Sequence, residues 1–233
     1  MSCRIFKDDS IIFAAMKLTT VIFDMDGLLI DSEPFWEEAG KETLEKFNVS
    51  LTPEQYASST GLRTQEWLQH WFHHFNIDAK HIPEAEEVVV QKAIEKIVAN
   101  GEPMPGVNYI LEFFKERNFN IGLATSSPMS LANPVVDKLN IRSYLQTITS
   151  AEHLPYGKPH PQVFINCAVE LNTTPLQSLV FEDSFNGMIA AKAARMKCVV
   201  IPAHHQQEQD KWKAADLQLK SLEEFDERTL QSL

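Results

Sequence analysis

Val21-Ile22-Phe23-Asp24-Met25-Asp26-Gly27-Leu28-Leu29 sets two carboxylates directly after a short apolar, β-branched run and follows them with a glycine. Strand interiors are depleted in Asp, and two carboxylates this close repel unless a cation or a proton lies between them. A strand that ends in acid points to chemistry rather than packing. For an isolated Asp-x-Asp-Gly a solvated strand-ending turn is the stronger reading, and three later stretches shift the balance. Ile121-Gly122-Leu123-Ala124-Thr125-Ser126-Ser127 is a second apolar run, ending in hydroxyls. Gly157-Lys158-Pro159 carries a lysine in a stiff loop. Leu179-Val180-Phe181-Glu182-Asp183-Ser184 is another β run that ends in acids before a helical pattern.

Outward from the first of these, the pattern changes from strand to helix after Asp31-Ser32, with Phe35, Ala39, Leu44 and Phe47 on a charged background. A short helix is predicted over 54–57, a strong one over 63–75, and a third over 84–99 with Val88, Ile94, Ile97 and Val98 as its apolar side. No convincing strand falls between 32 and 101. Glu102-Pro103-Met104-Pro105-Gly106 reads as a stiff return linker. Strands near 120–125, 147–149, 178–181 and 198–201 then alternate with helices near 107–117, 161–171 and 184–194. A further helix contains Asn133-Pro134, read either as an N-cap with a first-turn proline or as a kink. Leu217-Gln218-Leu219 is a candidate edge strand. The fold class is therefore α/β: a doubly wound, parallel, Rossmann-like sheet with a small all-helical cap inserted after the first strand. The expected organisation is a loosely held extension over 1–15, a core made of 16–31 and 102–233, and a cap over 32–101. Sheets of this kind bind ligands at the carboxyl ends of their strands, where Asp24, Thr125 and Asp183 would all sit.

A chain of 233 residues with 44% hydrophobic and 23% charged residues is ordinary for a globular protein able to bury one good core and a smaller module. Its formal net charge of -11 argues against nucleic acid and anionic membranes as partners. If the substrate is a phosphate, the site must be locally positive against this acidic background. Cys3, Cys167 and Cys198 lack metal-type spacing, so reduced thiols in a cytoplasmic protein are the expectation. No run approaches the roughly 18 apolar residues that span a bilayer. Ile11 to Met16 follows Lys7-Asp8-Asp9 rather than a basic region, which makes a secretion signal a poor reading.

Acid pair, hydroxyl, lysine and acid pair, in that order and each at a strand end or in a loop, resemble the four motifs of the haloacid dehalogenase-like hydrolase superfamily. The resemblance covers nearly the whole chain. Asp24 to Pro34 together with Gly157-Lys158-Pro159-His160-Pro161 is similar to the bacterial phosphatases of hexitol phosphates and 2-deoxyglucose 6-phosphate, and less closely to the β-phosphoglucomutases.

That resemblance implies a Mg²⁺-dependent phosphatase acting on a small phosphorylated metabolite, a sugar or sugar-alcohol phosphate, through an aspartyl-phosphate, in a monomer. Enzymes accelerate phosphate-monoester hydrolysis by up to ~10²¹-fold, whereas one proton donor supplies only about 10²–10⁴-fold, so several groups must act together. Asp24 is then the nucleophile. Asp26 protonates the leaving alcohol and deprotonates the attacking water. Asp24, the Asp26 carbonyl and Asp183 hold the Mg²⁺, with Glu182 contributing directly or through water. Thr125 and the Ser126 amide bind the phosphoryl oxygens, and Lys158 supplies a fixed positive charge. Arg63, next to Gly61-Leu62, is the candidate specificity residue, set against a surface arginine opening a helix. Trp36, twelve residues after Asp24, is expected to face the site from the first cap helix, with a core aromatic as the equal rival.

His70 and His74 stand four apart on a helix, yet no third zinc ligand is evident, and they read as the solvated side of a stripe formed by Trp67, Leu68, Trp71 and Phe75. Three rival functions remain. A β-phosphoglucomutase-type isomerase shares the motifs, but its family carries a histidine where Trp36 stands. A non-catalytic phosphate-binding domain would have no need of Asp24. A dehalogenase would need no proton donor at Asp26.

Overall fold

The computed structural model describes residues 17–233, so the proposed extension over 1–15, Met16 and Cys3 lie outside the described residues. The acid-tipped run forms β1 (Thr20–Phe23). Four helices follow: α1 (Glu33–Leu44), α2 (Pro53–Ser58), α3 (Thr64–His74) and α4 (Ile82–Asn100). The chain continues through α5 (Val107–Glu116), β2 (Asn120–Thr125), α6 (Met129–Lys138), β3 (Thr147–Ser150), α7 (Gln162–Glu170), β4 (Ser178–Glu182), α8 (Phe185–Ala193), β5 (Lys197–Val200) and the short edge strand β6 (Leu217–Gln218). All described strand pairs are parallel, in the order β3-β2-β1-β4-β5-β6.

The near-continuous apolar strands are explained by burial on both faces. Val21, Phe23, Leu179 and Phe181 point to one face, where Phe114 and Phe225 pack on them and the Phe23 and Phe181 rings stack at 5.1 Å. Ile22, Val180, Cys198 and Val200 point to the other, against Phe164, Met188 and Trp212. Burial pushes the Cys167 thiol up to about 12 and raises Cys198 too, so both are packing groups.

The helical insertion has its own core of Leu44, Leu68, Trp71, Phe72, Ile82 and Ala85. His70 and His74 are exposed, as expected of the solvated side. Two expectations need correction. The buried side of α4 is Ile82, Ala85, Val89, Ala93 and Ile97, not the line through Val88 and Val98, because alanines complete the helical spacing and the larger valines fall off it. Asn133 is not an N-cap: α6 starts at Met129, Pro134 lies inside it, and the Asn133 side chain donates to the Met129 carbonyl at 3.2 Å.

Candidate active site

Strand β1 ends in Asp24, whose backbone N–H donates to the Phe181 carbonyl at 3.0 Å, so the chain leaves the sheet with Asp24 beside the end of β4. Gly27 then turns the chain back at φ +74, and a Cβ there would overlap the Asp183 carboxylate. Only glycine lets the two acidic segments approach this closely. From the other side, Lys158 reaches in from the loop after β3. Its ammonium donates to Asp24 Oδ1 at 2.5 Å and to Glu182 Oε1 at 2.6 Å, and the residue is 1% exposed.

Glu182 is wholly buried and already occupied. Besides Lys158 it accepts from the Asp183 amide, the Ser184 amide and the Ser184 hydroxyl, each at 3.0 Å on Oε2. Ser184 in turn caps α8 by accepting from the Gly187 amide at 3.0 Å. Ligand oxygens of Asp24, Glu182 and Asp183 lie within 4.8 Å of one another. With Glu182 engaged, Asp24 and Asp183 are the freer carboxylates.

Electrostatics show what this cluster lacks. Burial foremost, then the neighbouring carboxylates, push Asp24 up to about 8 despite Lys158, and Asp183 is raised well above the usual carboxylate range for the same reasons. Burial opposes charge on Lys158, but Asp24 and Glu182 outweigh it and hold the ammonium above the usual lysine range. Glu33, the first residue of α1, is pushed up to about 8 by burial, then by Asp26 and Asp24. The cavity under the helical insertion is lined by Asp24, Asp26, Glu33 and Asp183, and Lys158 is the basic residue among its described lining. The expected locally positive site is thus absent from the protein's own charges. Uncompensated hard-oxygen donors around a buried cluster fit a small divalent cation.

Asp26 is held by four donors. Ser32 Oγ and Trp36 Nε1 bond its Oδ1 at 2.7 and 2.9 Å, while Ser127 Oγ and Thr125 Oγ1 bond Oδ2 at 2.7 and 3.4 Å. Trp36 therefore meets the site through Asp26, from the first helix of the insertion. Thr125 is fully buried and its hydroxyl also accepts from the Ser127 amide, so Ser126 and Ser127, rather than the Thr125 side chain, face the cavity.

Arg63 does not point where a specificity residue would. Its guanidinium is drawn to the carbonyls of the loop after β3, donating to Ala151, Leu154 and Pro155, and it pairs with Glu66 at 2.8 Å. Sequence reasoning missed Ser32, Glu33, Glu66 and Ser127. Ser32, Glu33 and Ser127 lie inside the motif stretches themselves, near the acids and the threonine that mark them. Glu66 has an i,i+3 partner in Arg63, but its role at the loop has no local signal, since the Gly157 amide it accepts lies ninety-one residues away in the chain.

Comparison with known proteins bears on the family and the fold. The sequence model of a haloacid dehalogenase-like hydrolase family matches residues 21–201. Hexitol phosphatase B of Escherichia coli (strain K12) is 37% identical over 215 residues, covering 92% of this chain and 97% of that protein. The phosphorylated carbohydrates phosphatase of Thermotoga maritima is 28% identical, covering 80% of this chain and 86% of that protein. Among solved structures, β-phosphoglucomutase from Clostridium difficile superposes with a TM-score of 0.81 at 23% identity, over 92% of this chain and 96% of that chain, which shows a shared fold. With four motifs converging at the strand ends and a match that runs from β1 past β5, the chain belongs to the haloacid dehalogenase-like hydrolase family.

Proposed function

We propose that the protein is a Mg²⁺-dependent phosphomonoesterase that hydrolyses a small sugar or sugar-alcohol phosphate through an aspartyl-phosphate on Asp24. The observation that carries this reading is the buried Asp24–Lys158–Glu182 cluster with Asp183 beside it, opening into a cavity covered by the helical insertion. Residues 32–101 act as a cap over a core of 16–31 and 102–233. The names of the relatives, one a hexitol phosphatase and one a phosphatase of phosphorylated carbohydrates, support the substrate class.

In this mechanism Asp24 attacks the phosphorus atom while Asp26 gives a proton to the departing alkoxide. Asp26 next takes a proton from the water that cleaves the acyl phosphate, which restores both carboxyl groups to their starting states. Lys158 holds the attacking carboxylate in place and offsets charge on the phosphoryl oxygens. Ser126 and Ser127 line the phosphoryl side. Asp24, Asp183 and the Asp26 carbonyl would hold the Mg²⁺, with Glu182 acting from behind as the acceptor that fixes Lys158 and the Asp183 amide. When bound, the cation supplies the charge neutralisation that one lysine cannot.

Release of inorganic phosphate from a panel of sugar and polyol phosphates with Mg²⁺ tests the proposal. Turnover lost in Asp24→Ala is expected. Full activity in that variant, or no turnover of any monoester by the wild type, overturns the reading.

A further inference from the structure

Lys158 is carried by a stretch without regular structure. Between the end of β3 and the start of α7 the chain runs through successive turns, so its backbone groups must find partners outside a ladder or a helix. One ion pair at the start of α3 supplies four of them. Arg63 donates to the carbonyls of Ala151, Leu154 and Pro155 at 3.1, 2.6 and 3.3 Å, and Glu66 Oε1 accepts the Gly157 amide at 2.9 Å. The same Glu66 oxygen accepts from Arg63 at 2.8 Å, so the two side chains work as one unit. Gly157, the last residue clamped, immediately precedes Lys158.

The fit is close. A Cβ on Gly157 would come to 2.8 Å from Arg63 Cγ and Nε and would overlap Glu66 Oε2. Arg63 is only 8% exposed, so this is an interior contact between insertion and core rather than a surface pair. Arg63 Nε and Glu66 Oε2 are buried without partners of their own. Buried polar atoms left unpaired oppose the contact, which keeps the clamp weaker than its bond count and suits a contact that must open.

We propose that Arg63 and Glu66 are positioning residues that make seating of the helical insertion and placement of Lys158 a single event. Their clamp on residues 151–157 orders the loop so that the lysine enters between Asp24 and Glu182, and when the insertion lifts, the loop loses four backbone partners at once. Arg63 then acts on turnover through Lys158 and not on choice of substrate. The inference rests on the reading above only in taking Lys158 to serve phosphoryl transfer.

The test uses the full chain with Mg²⁺, a hexitol phosphate and 4-nitrophenyl phosphate as substrates, and Arg63→Ala, Arg63→Lys, Glu66→Gln and Gly157→Ala as variants. Arg63→Ala and Gly157→Ala should each lower kcat about tenfold by the same factor on both substrates, with KM moving by less than about threefold. Their double variant should be no worse than the poorer single one, because both break one clamp. Arg63→Lys should rescue little, since an ammonium cannot fork to three carbonyls, whereas added guanidinium ion should restore turnover in Arg63→Ala but not in Gly157→Ala. A loss confined to KM or to the hexitol phosphate, or additive losses in the double variant, overturns the proposal. If Gly157→Ala does not fold, the cycle of Arg63→Ala with Glu66→Gln decides by the same criterion. A wild type that turns over neither ester sinks the phosphatase reading, while an active wild type whose variants match it sinks this inference alone.

Discussion

Asp26 accepts hydrogen bonds from Ser32, Trp36, Thr125 and Ser127, two from the start of the insertion and two from the end of β2. In the proposed mechanism a carboxylate gripped from both units is placed for proton transfer only while they are together, so Trp36, which also lines the cavity, is assigned a part in the chemistry. Trp36→Phe removes one donor and keeps most of the ring. It should lower kcat by up to about tenfold, or about 1.4 kcal/mol, for all phosphate esters alike. Asp26→Asn should depress turnover much further, again without re-ranking substrates. Steady-state kinetics on several sugar phosphates checks both, and a changed substrate order in Trp36→Phe would return the indole to a leaving-group contact.

Helix α4 joins the two units. Its first half buries Ile82 and Ala85 in the insertion's own core, and its second half sends Val89, Ala93 and Ile97 into the main core with Leu29 and Ile30. Lys138 of α6 donates to the Val98 carbonyl at 3.0 Å, which satisfies an orphan group at the α4 terminus. A helix shared in this way couples the stability of both units. Ile97→Ala should cost about 2–5 kcal/mol. In urea, tryptophan fluorescence, which reports mainly Trp36, Trp67 and Trp71 of the insertion, should lose its structure at the same denaturant concentration as far-UV circular dichroism. Separate transitions would show that α4 does not bind the two units into one cooperative block.

At the scale of the whole molecule, the fold gathers negative charge onto one spot. Asp24 and Glu33, both pushed up to about 8, bind protons in the folded state that they would release when unfolded near neutrality. The sign follows: the folded chain holds more protons, so without divalent ions this contribution to stability is full below about pH 4 and is lost as pH rises through about 8. A cation between the carboxylates removes that penalty. Millimolar Mg²⁺ should therefore raise Tm more at about pH 8 than at about pH 5.5, as scanning fluorimetry would show. Equal shifts at both values would mean that the cluster is not where the ion binds.

The alternation of strands and helices, the helical insertion after β1 and the acid-tipped strand ends were legible from residue order alone, because apolar periodicity and strand-end acids are local signals that survive without a partner. β2 has the predicted span, and Ser184 caps α8 as its type and place suggest. Tertiary structure decided the rest. The buried side of α4 depended on which neighbours its alanines met, and the helix around Pro134 depended on the packing of Leu131, Val135 and Val136, not on its local breaker. Arg63 is the clearest case: its place after Gly61-Leu62 suggested a specificity residue, but its guanidinium lies beside three carbonyls of the loop after β3 and binds those instead. Those carbonyls lie about ninety residues further along the chain, a distance that no local pattern spans and only the folded loop closes.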